Sequence, residues 1–285
     1  MCRIIDGKAV ALERKNQLKT KVEQMKMAGK SVCLAVIIVG DDKASAVYVK
    51  NKERACEYIG IESRSYALPT ETTEEALLEL IHTLNTDSTV HGILVQLPLP
   101  KHICENKVLN TIVPHKDVDC FHPTNVGKLC VGQKEMLPCT PAGVIELLKH
   151  TGCEIAGKEC VVIGRSNIVG KPMALLLLEE NGTVTITHSR TKDLTEVTKR
   201  ADILIVAIGK PRFITAEYVK EDAVVIDVGI HRDADGKLCG DVDFESVKDK
   251  VHAITPVPGG VGPMTIVMLM QNCVTAADTN GKIEV

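Results

Sequence analysis

The chain has 285 residues, an apolar fraction of 45% and a formal net charge of −3, so it is long enough for two domains, or one large one, with an ample core. The slightly negative charge argues against a nucleic-acid-binding surface, and three Phe, four Tyr and no Trp leave few rings to stack on single strands. No apolar run approaches membrane-spanning length, and the first residues lack a signal-peptide core. We therefore expect neither nucleic acid nor a membrane as partner.

The cysteines indicate a reducing compartment. The chain has eleven of them, an odd number, without a C-x-x-C motif. Most lie in apolar stretches, such as those of Cys33, Cys56, Cys160 and Cys273. This pattern is typical of buried, reduced thiols and not of disulfides or zinc ligands, so we expect a cytoplasmic protein with no metal site.

The first half of the chain alternates between helical and strand-like patterns. A charged, helix-prone stretch comes first and ends near Gly29, and an apolar, strand-like stretch follows it. Thr72 and Glu75 have the spacing of a capping box for a third helix. Helices are predicted at 7–29, 44–58 and 72–84, and strands at 32–39, 61–68 and 91–95.

The third of these strands runs directly into the segment Gln96-Leu97-Pro98-Leu99-Pro100. Two prolines so close together rule out regular structure, so the segment is predicted to be a fixed loop at the carboxyl end of a strand. In open α/β sheets ligands bind at that end. The loop is therefore a candidate ligand-binding element.

The second half of the chain predicts a doubly wound parallel sheet. Four apolar runs follow one another at the spacing of strand–helix–strand units, after an irregular junction at 114–141 and a helix at 142–149. A loop rich in proline and glycine and an apolar helix close the chain, and we expect that helix to pack back on the first domain. The runs are at 160–163, 183–187, 202–207 and 223–228, the loop at 256–263 and the helix at 264–277.

The turn after the first of these runs is a candidate nucleotide-binding site. Gly164-Arg165-Ser166 ends the strand, and Gly170-Lys171-Pro172 opens an apolar helix that tolerates proline in its first turn. Unpaired N–H groups and the helix dipole at such an N-terminus favour an anion. The G-x-G-x-x-G fingerprint is not met in full, because Ser166 stands in the second glycine position and the third glycine comes late. On pattern alone, a turn without a ligand stays an alternative.

The end of the second run bears on the choice between NAD and NADP. NAD enzymes usually place an Asp or Glu there to bind the ribose hydroxyls, whereas this chain has His188-Ser189-Arg190-Thr191 and no carboxylate until Asp193. Gly209 and Gly229 end the next two runs, where a backbone passes close to a bound nucleotide. A hydroxyl and a guanidinium suit a 2′-phosphate, and Arg165 in the turn offers a second positive group. We therefore predict NADP as the cofactor.

Tyr48 and Lys52 lie one turn apart on the second predicted helix and share a face. The helix begins just past the carboxyl end of the first buried strand, which directs the pair towards a cleft. Two interpretations stay open on pattern alone: an amphipathic surface helix, or a catalytic lysine whose pKa burial lowers, with a tyrosine that orients it or the substrate. A Tyr-x-x-x-Lys pair also occurs in short-chain dehydrogenases, but there it follows the cofactor turn, whereas here it precedes that turn.

Asp117 and Asp119 place two carboxylates in the junction segment. A carboxylate in a cleft binds a planar pair of donors, such as an amino group beside a ring N–H, through both of its oxygens. A solvated or turn-capping aspartate is the alternative. Gln96 presents a similar choice between a residue that contacts substrate or tunes Lys52 and an ordinary surface glutamine.

Taken together, six segments resemble one family, the bifunctional methylenetetrahydrofolate dehydrogenase/methenyltetrahydrofolate cyclohydrolases. The resemblance covers nearly the whole chain in the same order, and the last segment is long enough to make chance negligible. The segments are YVKNK at 48–52, GILVQLPLP at 92–100, KDVD at 116–119, PCTP at 138–141, GRSxxVGxP at 164–172 and ITPVPGGVGPMT at 254–265.

The resemblance implies an α/β fold of two domains with a cleft between them. The first is a folate-binding catalytic domain at 1–140, completed by the C-terminal helix at 264–285. The second is a Rossmann-like NADP-binding domain at 141–263, built on a doubly wound parallel sheet. Members of the family are homodimers paired through the nucleotide domain, so we expect a homodimer.

The resemblance also implies two activities. The first is the NADP-dependent oxidation of 5,10-methylenetetrahydrofolate to 5,10-methenyltetrahydrofolate, and the second is the hydrolysis of that product to 10-formyltetrahydrofolate. A monofunctional NAD(P)-dependent methylenetetrahydrofolate dehydrogenase is the alternative, and the presence of both Lys52 and Gln96 speaks against it. A second alternative is a non-enzymatic regulatory module, which would bind the nucleotide but catalyse neither reaction.

Individual residues take roles from the same resemblance. Lys52 matches the general acid/base of the hydrolysis, and Gln96 the residue that tunes that lysine. Tyr48 matches the residue that orients the folate, and Asp119 the carboxylate that holds the pterin. The hydride transfer requires no proton removal, because a folate nitrogen stabilises the resulting cation, so catalysis there is mostly positioning. Further folate contacts are implied at Pro258, Gly262 and Thr265, and NADP contacts at Gly164, Arg165, Ser166, Ser189 and Ile230.

One residue departs from the family. Cys120 follows Asp119 where the family usually carries glycine. If that position requires a positive φ, a β-carbon there costs on the order of 1 kcal/mol of strain. The departure therefore bears on the local geometry of Asp119.

Overall fold

The computed structural model describes residues 2–279, apart from the side chains of residues 43 and 44. Within these residues the chain forms eleven strands and ten α-helices, with a short 3₁₀ turn at Ala216–Tyr218. The strands are β1 (Arg3–Ile4), β2 (Cys33–Val39), β3 (Glu62–Leu68), β4 (Gly92–Val95), β5 (Glu159–Ile163), β6 (Thr183–Thr187), β7 (Ile203–Val206), β8 (Val224–Asp227), β9 (His231–Arg232), β10 (Leu238–Cys239) and β11 (Ala253–Ile254). The helices are α1 (Gly7–Met27), α2 (Lys43–Ile59), α3 (Glu74–Thr86), α4 (Glu105–Thr111), α5 (Pro123–Cys130), α6 (Cys139–His150), α7 (Gly170–Glu179), α8 (Leu194–Thr198), α9 (Phe244–Val247) and α10 (Val261–Thr279).

The chain divides into two compact units. Of the described residues, one unit contains 2–12 together with Thr140–Thr265, and the other contains Glu13–Cys139 together with 266–279. Each unit has its own parallel sheet flanked by helices. The predicted α/β fold with two domains is confirmed.

The first of these units is built on one six-stranded sheet in the order β1-β11-β8-β7-β5-β6, with every neighbouring pair parallel. The central strands β7 and β8 are buried along their whole length, as parallel strands covered on both faces must be. From β5 the chain runs outward to β6 and then crosses to β7 on the opposite side of β5, so the strand order reverses there. This confirms the doubly wound parallel sheet and places the turn after β5 at its switch point, where such sheets bind ligands.

A short N-terminal strand also belongs to this sheet. β1 pairs in parallel with β11, and the Arg3 guanidinium donates a hydrogen bond to the carbonyl of Thr151 at 2.8 Å. The residues up to Leu12 therefore lie with residues 140–265, although the sequence prediction places them in the first domain. A strand of two residues has no periodicity for a sequence pattern to reveal.

The other unit contains a three-stranded parallel sheet in the order β3-β2-β4. Helix α3 packs on it through Leu77, Ile81 and Leu84, which join side chains of β2 and β4 in one apolar core. Since the strands are parallel, α2, which follows β2, and the loop after β4 both begin at the carboxyl edge of this sheet. The sheet thus brings Tyr48 and Lys52 of α2 to the edge that also carries Gln96.

The starts of the helices follow capping rules. Asp42 caps α2, with its Oδ2 accepting a hydrogen bond from the Ser45 N–H at 2.6 Å. Thr73 caps α3, with its Oγ1 accepting from the Ala76 N–H at 3.2 Å. The predicted cap at Thr72 is therefore wrong by one residue.

The sequence predicts an irregular stretch at 114–129 within the junction, and this is wrong in part. Pro123–Cys130 forms α5, in which proline takes the first turn and the His122 Nδ1 accepts a hydrogen bond from the Thr124 N–H at 3.1 Å. The last helix, α10, begins at Val261 rather than at Met264. The predicted extension of that helix over residues 280–285 lies outside the described residues. In the part of the chain that is described, no helix is long and apolar enough to cross a membrane.

Candidate active site

Lys52 is the central group of a first site. Tyr48 and Lys52 lie one turn apart on α2, and Gln96 follows the end of β4. The Lys52 Nζ donates a hydrogen bond to the Gln96 Oε1 at 2.9 Å. The Gln96 Nε2 donates in turn to the carbonyl of Leu97 at 2.7 Å, and the Gln96 backbone N–H donates to that of Ile37 at 2.8 Å. The amide is therefore held with its oxygen towards the amine.

Burial and a neighbouring charge set the protonation of this amine. Lys52 and Asp119 keep some accessible surface but lie in crowded surroundings. Burial lowers the pKa of Lys52, and the Asp119 carboxylate opposes that shift. Burial also raises the pKa of Asp119, and the Lys52 ammonium opposes that shift in turn. A lowered pKa makes the neutral amine of Lys52 accessible nearer to neutral pH, which a group that transfers protons requires.

The two aspartates of the junction segment differ in their surroundings. Asp117 is 2% exposed, and its Oδ2 accepts hydrogen bonds from the His122 N–H at 2.8 Å and the Asn125 Nδ2 at 3.0 Å. Burial raises the pKa of Asp117 to about 6. Asp119 instead interacts with the Lys52 amine. Asp117 thus stabilises the loop at 117–125 through internal hydrogen bonds, and Asp119 is the carboxylate of this loop that lies beside Lys52.

Asn272 holds the same loop from α10, and sequence reasoning missed it. It is 3% exposed, and its Nδ2 donates to the carbonyls of Val118 at 2.8 Å and Leu137 at 2.7 Å. The peptide directly before Asp119 is therefore tied to the segment that leads into α6. The signal was an asparagine within an apolar helix, since a buried amide requires hydrogen-bond partners.

Cys139 is a second residue that sequence reasoning did not single out, apart from its place in the segment at 138–141. Its buried thiol donates to the carbonyl of Val118 at 3.2 Å and hydrogen-bonds with the Asp119 carboxylate. Burial raises the pKa of this thiol well above its ordinary value. The thiol therefore stays protonated beside Lys52 and Asp119, as a donor and not as a nucleophile.

Cys120 has a left-handed backbone, with a φ of 60°. Its side chain is 2% exposed, and its Sγ accepts a long hydrogen bond from the Asn272 Nδ2 at 3.8 Å. The position thus does require a positive φ, where a β-carbon costs on the order of 1 kcal/mol. The strain lies directly beside Asp119.

The turn after β5 is the centre of a second site, in the unit with the six-stranded sheet. Gly164 has a φ of 127°, and a β-carbon there would lie 2.2 Å from the carbonyl oxygen of Ala207, so only glycine fits. The Ser166 Oγ accepts hydrogen bonds from the N–H groups of Val169 at 3.1 Å and Gly170 at 3.3 Å. The prediction of unpaired N–H groups at the start of α7 is therefore wrong for these two.

Exposed polar side chains surround this turn. Ile163 at the end of β5 pairs with Thr187 at the end of β6, so Arg165 and Ser189 follow the ends of adjacent strands. Both side chains are exposed. After β8, Ile230 is 46% exposed and offers an apolar contact at the same edge of the sheet. A guanidinium and a hydroxyl beside a glycine turn fit a phosphate-bearing nucleotide.

The residues predicted from the last sequence segment lie around the start of α10. Pro258 and Gly262 are exposed, and the Thr265 Oγ1 lies 3.0 Å from the Thr140 Oγ1 in a hydrogen bond. Pro258, Gly262 and Thr265 all belong to the unit that contains the six-stranded sheet. Their contact with folate stays a prediction. Over the described residues, no group of three or more His, Cys, Asp or Glu side chains is arranged to hold a metal ion.

A glycine turn at the switch point of a doubly wound parallel sheet is the architecture of dinucleotide-dependent enzymes, and the other unit adds an amine suited to proton transfer. The structure therefore defines a two-domain α/β enzyme in which a nucleotide site and an acid–base site occur on one chain. Two family models match it: the catalytic domain of tetrahydrofolate dehydrogenase/cyclohydrolase over residues 5–119, and the NAD(P)-binding domain of the same enzymes over residues 138–281. The chain belongs to the tetrahydrofolate dehydrogenase/cyclohydrolase family, and the resemblance found in the sequence is confirmed.

Known relatives match over nearly the full length. The chain is 68% identical over 277 residues to the bifunctional protein FolD of Lachnoclostridium phytofermentans, which covers 97% of this chain and 98% of that protein. The crystal structure of the bifunctional enzyme FolD, a methylenetetrahydrofolate dehydrogenase/cyclohydrolase, from Campylobacter jejuni is 52% identical with a TM-score of 0.96, covering 98% of this chain and 100% of that one. The Trypanosoma brucei enzyme of the same name, complexed with NADP cofactor and inhibitor, is 40% identical with a TM-score of 0.94 and covers 99% of each chain. These matches favour the bifunctional enzyme over the monofunctional alternative.

Proposed function

We propose that the chain oxidises 5,10-methylenetetrahydrofolate to 5,10-methenyltetrahydrofolate with NADP⁺ and then hydrolyses that product to 10-formyltetrahydrofolate. Membership of the family and the bifunctional relatives support this proposal. The single observation that carries it is the hydrogen bond from the Lys52 Nζ to the Gln96 Oε1 at 2.9 Å, beside Asp119. A dehydrogenase alone needs no such amine, because its hydride transfer leaves a cation that a folate nitrogen stabilises.

In the hydrolysis, Lys52 acts first as a general base and then as a general acid. The neutral amine takes a proton from the water that adds to the methenyl carbon, and the ammonium then gives a proton to the folate nitrogen that leaves as the ring opens. The hydroxyl proton on the former methenyl carbon passes to solvent as the formyl C=O forms. The lowered pKa of Lys52 supports this cycle, because it makes the neutral form accessible. Gln96 holds the amine in place, since its own amide is fixed by the carbonyl of Leu97.

Other side chains than Lys52 and Gln96 bind the folate. Asp119 binds the amino group and the ring N–H of the pterin through its two oxygens, and the loop held by Asp117 and Asn272 supports that orientation. Tyr48, one turn before Lys52, orients the folate. Further contacts come from Pro258, Gly262 and Thr265.

The dehydrogenase half binds and positions the cofactor. NADP⁺, when bound, accepts the hydride from the methylene carbon. Gly164 and Ser166 hold the phosphates at the start of α7, and Arg165 with Ser189 binds the 2′-phosphate, while Ile230 supplies an apolar contact. The exposure of these side chains at one edge of the sheet supports this assignment, as does the relative complexed with NADP.

The organisation of the chain forms a further part of the proposal. Residues 13–140 and the part of α10 from 264 to 279 form the folate-binding catalytic domain, and residues 141–263, with the N-terminal strand β1 paired to their sheet, form the NADP-binding domain. The protein is a cytoplasmic homodimer that needs no nucleic acid, membrane or metal. Eleven free cysteines suit a reducing compartment, and the exposed side chains of Leu178 on α7 and Ile186 on the edge strand β6 suit pairing through the nucleotide domain.

The test follows the absorbance of the methenyl intermediate after the enzyme is mixed with NADP⁺ and 5,10-methylenetetrahydrofolate. We expect the intermediate to form and then to decay to 10-formyltetrahydrofolate. Added methenyltetrahydrofolate must decay in the same way without any nucleotide. If the methenyl intermediate forms but decays no faster than in buffer, the enzyme is the monofunctional alternative. If the intermediate forms neither with NADP⁺ nor with NAD⁺, the proposed function is rejected.

A further inference from the structure

A fully buried carboxylate lies in the unit with the six-stranded sheet, outside the residues to which a role has been given. Asp241 follows β10 and is 0% exposed. Its Oδ2 accepts hydrogen bonds from the N–H groups of Ile208 at 2.8 Å and Gly209 at 3.1 Å, and its Oδ1 accepts from the N–H of Lys210 at 2.7 Å. Three consecutive N–H groups that converge on an anion form a nest, and here the anion belongs to the protein itself.

The loop that Asp241 holds is in direct contact with the nucleotide turn. Ala207, the residue before the nest, donates its N–H to the carbonyl of Ile163 at 2.8 Å. The carbonyl oxygen of Ala207 lies against Gly164, where a β-carbon would come within 2.2 Å of it. A shift of residues 208–210 therefore displaces the surface on which the Gly164 turn rests.

The same carboxylate also holds the segment after β8. The His231 Nε2 lies 2.7 Å from the Asp241 Oδ1, and an ionised carboxylate only accepts, so the ring donates. His231 directly follows Ile230, whose side chain is exposed at this edge of the sheet. Asp241 thus connects the two loops, after β7 and after β8, that lie beside the nucleotide turn.

A second aspartate fixes the backbone of Asp241. Asp227 is 3% exposed, and its Oδ1 accepts from the N–H groups of Gly229 at 2.9 Å and Asp241 at 3.0 Å, while its Oδ2 accepts from that of Val242 at 2.9 Å. Burial raises the pKa of Asp227 to about 7. Buried carboxylates that satisfy so many backbone donors hold those segments in one arrangement.

The position of the Asp241 carboxylate gives a structural reason for the glycine at position 229. The sequence predicts that the backbone at Gly229 approaches a bound nucleotide, and that contact stays a prediction. A β-carbon at Gly229 would lie 2.4 Å from the Asp241 Cγ, so the glycine makes room for the carboxylate. This residue therefore belongs to the support behind the site.

We propose that Asp241 is a positioning residue of the dehydrogenase site, which holds the loop at 207–210 and the segment of Ile230 and His231 in the arrangement that binds NADP⁺. The inference rests on the proposed function, because it takes the turn at Gly164 as the cofactor site. Asp241 touches neither cofactor nor folate in this role and acts through the two loops. Its loss therefore weakens cofactor binding and leaves the Lys52 chemistry intact.

The first experiment uses Asp241→Asn in the full-length enzyme. The amide has the same size but only one acceptor oxygen, so it places an NH₂ group against backbone donors. We expect the KM for NADP⁺ and the Kd of NADP⁺ by isothermal titration calorimetry to rise about tenfold or more. The hydrolysis of added methenyltetrahydrofolate, measured without nucleotide, stays within about twofold of the wild type. Asp249→Asn, the same change at an exposed position of this unit, leaves both activities unchanged.

A second pair of variants keeps the proposal testable if Asp241→Asn does not fold. His231→Leu removes one donor of Asp241 at a partly exposed position, and we expect a severalfold rise in the Kd of NADP⁺. His231→Gln retains a side-chain N–H donor and restores most of the affinity. An unchanged Kd in both Asp241→Asn and His231→Leu overturns the proposal, as does an equal loss of both activities. Absence of both activities in the wild type would instead reject the proposed function.

Discussion

The two sites of this enzyme are built in different ways. Around Lys52, partly buried side chains interact with one another: Gln96 holds the amine in place, and burial and the Asp119 carboxylate shift its pKa in opposite directions. Around Gly164, the backbone makes the turn, and the side chains that face outward, Arg165 among them, are exposed. Proton transfer requires a group whose pKa is set by burial and charge, whereas hydride transfer requires reactants that are held in place. Single substitutions should therefore separate the two activities.

The largest separation is expected for Lys52→Met, which removes the amine and keeps an unbranched apolar side chain. Without the general acid/base, hydrolysis falls by about 10²–10⁴-fold, while part of the hydride transfer persists because that step moves no proton. The measurement compares the decay of added methenyltetrahydrofolate with its formation from 5,10-methylenetetrahydrofolate and NADP⁺. In the variant, the methenyl intermediate accumulates.

Lys50→Met is the matched control for that variant. Lys50 lies on the same helix and is exposed, so its replacement should leave both rates unchanged. An equal loss of both activities in Lys52→Met would show that Lys52 serves binding and not proton transfer.

The next largest effect is expected on the nucleotide side, from Ser189→Asp. A carboxylate after β6 repels the 2′-phosphate, so the KM for NADP⁺ rises by roughly tenfold to a hundredfold and the preference over NAD⁺ weakens. Steady-state kinetics with each nucleotide measures this change, and hydrolysis without nucleotide stays the same. Ser189→Ala, which adds no charge, has a smaller effect. If the unmodified enzyme reduces NAD⁺ as well as NADP⁺, the specificity argument from the end of β6 is wrong.

The contrast between the sites also explains what the sequence reveals. The apolar runs of β2, β5, β7 and β8 predict buried parallel strands, and the rule that ligands bind at the carboxyl ends of such strands points to Gln96 and to the turn at Gly164. Local patterns therefore suffice for the framework of both sites. The distance between Lys52 and Gln96 does not follow from those patterns, because it depends on how β2 and β4 pair.

The residues that the sequence does not predict are those whose hydrogen-bond partners lie far away in the chain. Asn272 bonds to Val118, far away in the chain, and Asp241 bonds to the loop after β7. Neither lies in a motif, since a buried polar side chain is recognised by its partners and these come from other elements. The pairing of β1 with β11 is concealed for a related reason, because two residues carry no period.

A smaller and more specific effect concerns the pH dependence of the hydrolysis. The Asp119 carboxylate raises the pKa of Lys52 against the effect of burial. In Asp119→Asn that charge is gone, so the pKa of Lys52 falls further and its neutral form persists to lower pH. The rising limb of kcat/KM against pH for hydrolysis therefore moves to lower pH, while the affinity for folate decreases.

The control for this profile is Glu57→Gln, which removes a carboxylate from the exposed face of α2. Its limb should coincide with that of the wild type. A limb that stays in place or moves to higher pH in Asp119→Asn would mean that the amine of Lys52 is not the group that the profile reports.

The smallest effect is expected beside Asp119, where Cys120 has a φ of 60°. Replacing Cys120 by glycine removes both the strain and the buried thiol, so the comparison that isolates the strain is Cys120→Gly against Cys120→Ala. Both variants lack the Sγ that contacts Asn272, but only alanine keeps the β-carbon. The free energy of unfolding in urea should therefore be about 1 kcal/mol higher for the glycine variant. A more stable alanine variant would mean that the loop relaxes around a β-carbon at this position, and Asp119 would then owe its orientation to Asp117 and Asn272 alone.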